Sequence, residues 1–295
     1  MSSPGEHFSV QKCFFLLRDL YPTSDYGTIK GKMQERLRYM RILAIGDVVG
    51  LATLGFLKET LRGVQKERKI DFTVVNGENV CDIHGIGAAQ AKELLDAGAD
   101  IITSGNHIFS RKDIGDYLDG SEDMLRPCNY PAMAPGSGYT IRVVKGWRIL
   151  CINAMGCVFM ESLASPFETV GRILEREKGK FDLSLLDFHA EATSEKLAMG
   201  RYFDGKIDVI FGTHTHVQTA DEQILPHGTG YITDLGMTGP MSGILGVASE
   251  CVVDRFLIKM PQKFKIAEGN LAAHGAVFEW DESLRRVSAV ERIVF

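Results

Sequence analysis

The segment Met40-Arg41-Ile42-Leu43-Ala44-Ile45-Gly46-Asp47 places a short apolar run directly before a glycine and an aspartate. A run of this length that ends at a glycine is typical of a buried strand, here residues 42–45. Apolar residues then follow at positions 54, 57, 61 and 64, and this helical spacing predicts a helix over residues 51–68. A strand followed by an amphipathic helix is the first unit of a sheet with parallel strands.

Alternating strands and helices continue along the chain. Strands over residues 72–75 and 101–103, with a helix over 87–97 between them, complete a β-α-β-α-β opening that indicates parallel strands. The later predicted elements are an antiparallel pair of 139–144 and 148–152 across Lys145-Gly146, a helix over 167–177, a strand over 183–186, a helix over 194–202, strands over 209–211 and 230–233, and a hairpin of 276–280 with 287–294. These elements predict an α/β fold with two mixed sheets covered by helices.

Residues 1–39 differ from this pattern, because they are polar and mixed and show no clear period. They predict an extension, either disordered or arising from an over-called start codon, ahead of one domain over residues 40–295. The alternative is a docking helix over residues 30–38.

The composition is that of an ordinary globular protein, with 45% hydrophobic and 24% charged residues among 295. A net charge of -5 gives no electrostatic reason to expect an extended nucleic-acid surface or an acidic membrane as partner. An anionic substrate would need positive charge placed locally, and metal ions are one way to supply it.

The six cysteines form no C-x-x-C pair, and no apolar run approaches the length of about 20 residues that a membrane span needs. These features predict reduced thiols, no membrane partner and a cytoplasmic protein.

Metal-capable side chains follow five of the predicted strands. Ligands of open α/β sheets bind beyond the carboxyl ends of the strands, so these residues can converge although they are far apart in sequence. The candidate metal ligands are Asp47, Glu78, Asn79, Asn106, His189, His214 and His216.

This set combines carboxylate, carboxamide and imidazole groups without a thiolate, which suits Mn²⁺, Fe or Zn²⁺. Seven ligands are too many for one four-coordinate ion, and two ions bridged by a carboxylate fit better, as in phosphatases and nucleases. His214 and His216 have the spacing of a strand-like pair, which would point both imidazoles to one side.

Six segments carry a resemblance to a known family. They are Gly46-Asp47-Val48-Val49-Gly50, Asn76-Gly77-Glu78-Asn79, Gly105-Asn106-His107, and residues 187–196, 212–221 and 233–240. From Met40 to near its end, the sequence resembles the calcineurin-like metallophosphoesterases and, within them, the YmdB-type bacterial 2′,3′-cyclic nucleotide phosphodiesterases.

The resemblance implies a four-layer α-β-β-α sandwich of two mixed sheets flanked by helices, with two metal ions, Fe or Mn. It implies that Asn79 replaces the histidine of the superfamily's first motif, that Glu78 bridges the ions, and that His107 is the proton donor. One ion would be held by Asp47, Glu78, Asn79 and His216, and the other by Glu78, Asn106, His189 and His214.

Some positions depart from the family pattern. Ile108-Phe109-Ser110 stands where Thr-Trp-Asp is commoner, and Cys157 stands where an arginine is usual. These departures bear on substrate preference and not on the metal chemistry. His84 also lies in an unusual loop, and we interpret it as an exposed loop histidine and not as an eighth ligand.

The chemistry of phosphodiester hydrolysis also favours two metal ions and a proton donor. Hydrolysis of a phosphodiester requires neutralised phosphate oxygens, a hydroxide near pH 7 and a proton for the leaving alkoxide. Two metal ions can supply the first two, since they lower the pKa of a bound water to about 7, and His107 can supply the third. We therefore expect in-line attack by a metal-bound hydroxide.

By resemblance, the substrates are small 2′,3′-cyclic nucleotides, opened at the 2′ bond to 3′-nucleotides. Other phosphodiesters stay open as substrates. A homo-oligomer is an expectation that rests on the resemblance alone. Two alternatives stay open, a metal-binding regulatory scaffold with little turnover and a phosphomonoesterase. A Ser-His-Asp hydrolase does not fit, because the sequence has no Gly-x-Ser-x-Gly motif.

Overall fold

The computed structural model describes residues 39–81 and 84–295. The prediction for residues 1–39 lies outside the described residues, except for Tyr39, which is the first residue of the first strand. Within the described ranges, no helix is long and apolar enough to cross a membrane.

Strands and helices alternate through most of the described chain. The strands are β1 (Tyr39–Ile45), β2 (Asp47–Val48), β3 (Phe72–Asn76), β4 (Ile101–Thr103), β5 (Tyr139–Val144), β6 (Trp147–Met155), β7 (Leu183–His189), β8 (Val209–Thr213), β9 (Gln223–Ile224), β10 (Gly230–Ile232), β11 (Met237–Pro240), β12 (Leu271–Ala272), β13 (His274–Asp281) and β14 (Arg286–Val294). The α-helices are α1 (Leu51–Arg68), α2 (Ala88–Ala97), α3 (Ile114–Asp119), α4 (Pro166–Arg176), α5 (Thr193–Phe203) and α6 (Ser249–Ile258), and Ile108–Ser110 forms a 3-10 turn.

The first large sheet has the strand order β14-β13-β1-β3-β4. β1, β3 and β4 are parallel, as predicted, whereas β13 is antiparallel to both β1 and β14. α1 has the predicted bounds because Leu54, Leu57 and Leu61 recur at helical spacing and are all buried.

The second large sheet has the order β5-β6-β7-β8-β10-β9, with parallel strands between two antiparallel edge strands. The predicted pair of β5 and β6 turns through Lys145 and Gly146, whose φ values are 53° and 86°. Two positive φ values in succession give the tight turn whose twist suits a hairpin. A third, smaller sheet has the order β12-β11-β2. The prediction of a mixed α/β fold with sheets and helices is therefore confirmed, and the three-stranded sheet was not predicted.

The side chains of β1 show how the core is divided. Ile42 and Ala44 belong to a buried cluster that contains residues of both large sheets. Leu43 and Ile45 point the other way, into a cluster with α1 and α2. A third cluster joins the second sheet to α4 and α5.

Several observed elements were not predicted. Short strands such as β2, β9 and β12 carry no periodic signal, and α6 buries only Val252, so its apolar residues form no stripe. β7 and β8 also extend beyond their predicted ends at residues 186 and 211. The added ends contain Asp187 and Thr213, two buried polar residues that are hydrogen-bonded to each other.

Candidate metal centre

The candidate ligands form one connected group at the ends of strands. Most of them follow β1, β3, β4 and β8, and His189 is the last residue of β7. Asp47 begins β2 directly after β1, and its Oδ2 accepts a hydrogen bond from the backbone N–H of His214, 3.0 Å away. His189 is fully buried, and its Nδ1 lies 3.7 Å from Oδ1 of Asp47. Side chains that are remote in sequence are therefore in direct contact.

Three possible partners surround Nε2 of His189. It lies 3.0 Å from Oδ1 of Asn106, 3.0 Å from Nδ1 of His214 and 3.3 Å from Oε1 of Glu78. An imidazole nitrogen carries either one proton or one lone pair, so it cannot satisfy three partners at once. One ligand atom from each of Glu78, His189 and His214 lies within 4.8 Å of the other two, a spacing that a single cation can span.

Two buried oxygens mark a second group. Oδ1 of Asp47 and Oδ1 of Asn79 have no hydrogen-bond partner among the residues that the structure describes. Nδ2 of Asn79 donates to Oε1 of Glu78 at 3.0 Å and lies 3.4 Å from Nε2 of His216. Because buried polar atoms normally have a partner, two unpaired oxygens beside an imidazole fit the donor set of a bound cation.

Glu78 contacts members of both groups, and the electrostatics of the site centre on it. Burial opposes its ionisation, but the charge and the hydrogen bond of His189 outweigh burial and lower the pKa of Glu78 to about 2. Burial also opposes protonation of His189, yet Glu78 and Asp47 raise the pKa of His189 to about 9. Burial raises the pKa of Asp47. The buried carboxylates thus require positive charge, from a proton on His189 or from a cation.

His107 is half-buried beside this group. Its backbone N–H donates to Oε2 of Glu78 at 3.2 Å, and its ring Nε2 lies 3.1 Å from Nδ2 of Asn106. Its ring lines a cleft of about 320 Å³ together with His214 and His216. Burial lowers the pKa of His107. An imidazole at this place can exchange a proton with a molecule bound in the cleft.

A buried network that was not predicted from the sequence orients His189. Nδ1 of His189 lies 2.9 Å from Oγ1 of Thr213, which donates to Oδ1 of Asp187 at 2.7 Å. Oγ1 of Thr103 donates to the other oxygen of Asp187 at 2.5 Å. Such partners fix the ring so that Nε2 faces the candidate ligands. The available signal was that Asp187 and His189, two apart on a strand, share one face.

A buried ion pair positions the loop after β8, and it was also missed. Nζ of Lys196 lies 2.6 Å from Oδ2 of Asp234, and both side chains are almost fully buried. The same oxygen accepts hydrogen bonds from the backbone N–H and the hydroxyl of Thr215, at 3.2 and 2.7 Å. Thr215 lies between two candidate ligands, so the ion pair holds their loop in place.

The prediction that His214 and His216 form a strand-like pair is wrong. β8 ends at Thr213, and the two histidines have φ values of 98° and 63°. The backbone turns here because Asp47 and Asp234 accept the N–H groups of His214 and Thr215. Both imidazoles nevertheless line the cleft.

The positions that depart from the family pattern have different surroundings. His84 is exposed, as expected, and its ring packs against that of His107. Ile108 is fully buried in the cluster with α1 and α2. The backbone N–H of Cys157 donates to Oε1 of Glu195 at 3.0 Å, so Cys157 is part of a turn fixed by a carboxylate.

The sequence and the fold both match known proteins. A family model described as YmdB-like protein matches residues 43–293. A 2′,3′-cyclic-nucleotide 2′-phosphodiesterase of Bacillus subtilis (strain 168) is 42% identical over 255 residues, which are 86% of this chain and 97% of that protein.

Solved structures extend the likeness to the fold. The crystal structure of a phosphatase from Mycoplasma pneumoniae matches with a TM-score of 0.82 and 30% identity, over 87% of this chain and 93% of that one. The NAD nucleotidase of Haemophilus influenzae matches with a TM-score of 0.57 and 13% identity, over 87% of this chain and 55% of that one. At that identity the second likeness shows the fold alone.

Proposed function

Because this chain belongs to the YmdB-like family, we propose that it is a dinuclear-metal phosphodiesterase that hydrolyses 2′,3′-cyclic nucleotides to 3′-nucleotides. The observation that carries the proposal is the pair of buried carboxylates, Asp47 and Glu78, which lie among imidazoles. Oδ1 of Asp47 and Oδ1 of Asn79 have no hydrogen-bond partner within the described part of the chain. The 42% identity to a protein named 2′,3′-cyclic-nucleotide 2′-phosphodiesterase supports the choice of substrate.

The proposed ligand sets are those that the family resemblance implies. Contacts support Asn79 with Glu78 and His216 in one set, and His189 with Glu78, Asn106 and His214 in the other. Glu78 contacts a member of each group, which supports its role as the shared carboxylate. Ligands of this oxygen and nitrogen chemistry suit Fe or Mn. One ion is assigned to Asp47, Glu78, Asn79 and His216, and the other to Glu78, Asn106, His189 and His214.

Two such ions, when bound, neutralise the phosphate oxygens and activate the attacking water. The residues of the chain supply orientation and a proton. Asn106 and Glu78 hold His107 through the ring Nε2 and the backbone N–H, so the imidazole stays at the cleft. His107 then donates a proton to the 2′ oxygen as its bond to phosphorus breaks, a step that is typically worth about 10²- to 10⁴-fold in rate.

The proposed fold is the four-layer α-β-β-α sandwich, formed by one domain over residues 40–295. Its support is the division of the core into three clusters: one with residues of both large sheets, and one on each side that joins a sheet to helices.

The test is a substrate panel on the purified protein with Mn²⁺ or Fe. We expect hydrolysis of 2′,3′-cyclic AMP to 3′-AMP, with less turnover of 3′,5′-cyclic AMP and of an aryl phosphomonoester. Preferred turnover of the monoester would identify a phosphomonoesterase instead. Two bound metals without hydrolysis of any compound would identify a regulatory scaffold.

A substitution separates catalysis from metal binding. His107→Ala keeps all seven proposed ligands and removes the proposed proton donor. We expect it to retain both metals and to lose at least about tenfold in turnover of the cyclic nucleotide. Unchanged turnover would refute the role of His107.

A further inference from the structure

The ring of His84 lies against the ring of His107. Their centroids are 4.1 Å apart, and the ring planes are tilted by 30°. Both side chains line the same cleft. We propose that His84 is a positioning residue, which holds the imidazole of His107 in the orientation from which it donates its proton. This inference rests on the proposed function of the site.

The contact is built by two loops that pack closely. The backbone N–H of Cys81 donates to the carbonyl of Gly85 at 2.9 Å, and the N–H of His84 donates to the carbonyl of Cys81 at 3.1 Å. Gly85 has a φ of 82°, and a Cβ there would lie 2.9 Å from Cγ of Arg111. Gly85, the residue after His84, therefore packs on Arg111, four positions after His107, and the approach needs a glycine.

His107 is held on two sides in this arrangement. Nδ2 of Asn106 contacts the edge of its ring at Nε2, 3.1 Å away. His84 covers a face of the ring, and thus limits rotation about the side-chain torsions. A general acid must keep its proton within hydrogen-bond reach of the leaving oxygen, so a displaced ring lowers the rate.

His84 acts through His107 and not through the metals. It is exposed, and no hydrogen bond or ion pair joins its side chain to a proposed ligand within residues 39–81 and 84–295. Its removal should therefore leave the metal content unchanged. A ring contact of this kind changes the population of the favoured ring orientation, or a rate that depends on it, by about three- to tenfold.

The kinetic test compares two leaving groups. The 2′ alkoxide of 2′,3′-cyclic AMP needs a proton, whereas the nitrophenolate of bis(4-nitrophenyl) phosphate leaves without one. We expect His84→Ala to lower kcat for the cyclic nucleotide about three- to tenfold with KM unchanged, and to leave the aryl diester unaffected. His84→Phe, which keeps an aromatic ring, should restore kcat. His227→Ala, at another exposed histidine, is the control and should match the parent protein.

A spectroscopic test does not depend on turnover. In the protein loaded with diamagnetic Zn²⁺, the nuclear Overhauser contacts between the ring protons of His107 and the side-chain amide of Asn106 should weaken in His84→Ala and be kept in His84→Phe. Unchanged Overhauser contacts in His84→Ala, in a protein that hydrolyses the cyclic nucleotide, would overturn the positioning role alone. An increase in KM in place of the kcat loss would also overturn it, because His84 would then contact substrate. Absence of hydrolysis by the parent protein would refute the proposed function, and the positioning role with it, whatever the Overhauser contacts.

Discussion

The backbone N–H of His214 donates a hydrogen bond to Oδ2 of Asp47 over 3.0 Å, although 167 positions separate the two residues. This bond joins the loop after β8, in the second large sheet, to β2, which follows β1 of the first. Asp47 is thus a proposed ligand and also an anchor for the loop that bears two others. Because asparagine can still accept this bond, substitution can separate the two roles.

We predict that Asp47→Asn loses the ion assigned to Asp47 and retains the fold. The variant removes one negative charge from the donor set but keeps the acceptor for His214. Loss of a residue that only hydrogen-bonds to a metal ligand typically costs about 10- to 100-fold in activity. Because Asp47 is itself a proposed ligand, its loss should lower turnover by more than that. Metal analysis and steady-state kinetics measure the two effects.

The stability of the same variant gives a second result. Burial raises the pKa of Asp47, so its charge is costly in the metal-free protein. The metal-free Asp47→Asn protein should therefore unfold at the same temperature as the parent protein or at a higher one. Asp254→Asn, on the exposed side of α6, should alter neither metal content nor turnover. A lower unfolding temperature for Asp47→Asn alone would show that its carboxylate is structural.

The stability of the metal-free protein should depend on pH through His189. Its pKa of about 9 in the fold exceeds the ordinary 6.5, so protonation of His189 favours the folded state. That contribution is complete below about pH 6.5 and is lost as the pH rises through about 9. Urea denaturation in EDTA should show the free energy of unfolding decreasing over this window.

Two comparisons check the source of that decrease. His189→Gln should flatten it, because the titrating group is gone. Bound metal should flatten it as well, since an imidazole that ligates a metal is neutral. The same slope in His189→Gln would assign the effect to another group.

The buried pair of Lys196 and Asp234 should be a stability determinant. Lys196→Met leaves the buried carboxylate of Asp234 without its cation, which costs about 3 to 5 kcal/mol. Turnover should fall as well, because Asp234 positions Thr215 between two proposed ligands. Urea denaturation of the metal-loaded protein measures the loss.

The exposed pair of Lys58 and Glu93, 2.9 Å apart, provides the control. Lys58→Met should cost about 0 to 1 kcal/mol, because solvent screens this pair. Equal losses for Lys58→Met and Lys196→Met would contradict the claim that burial makes the second pair important.

Local pattern predicted the fold where an element carries an apolar face or a continuous apolar run. α1 has its predicted bounds because its leucines recur at helical spacing, and β1 was predicted from its apolar run before Gly46. Pattern failed where pairing with a distant strand creates the element. β2 has two residues and exists because Asp47 and Val48 pair with β11, which no local period indicates.

The candidate site, like the fold, was predictable from the sequence only in part. Strand-end positions predicted the set of candidate ligands, whose roles stay predictions. Asp187 shares a strand face with His189, but the link between them through Thr213 was not predictable, because it depends on the register between β7 and β8. The left-handed turn at His214 was missed for a similar reason, since distant carboxylates fix it.

A metal titration tests the central claim, that two ions share Glu78 and act together. Metal-free protein is titrated with Mn²⁺ while hydrolysis of 2′,3′-cyclic AMP is followed. Turnover should rise as the second equivalent binds and should reach its plateau at two ions per chain. Full turnover at one ion per chain would contradict the account.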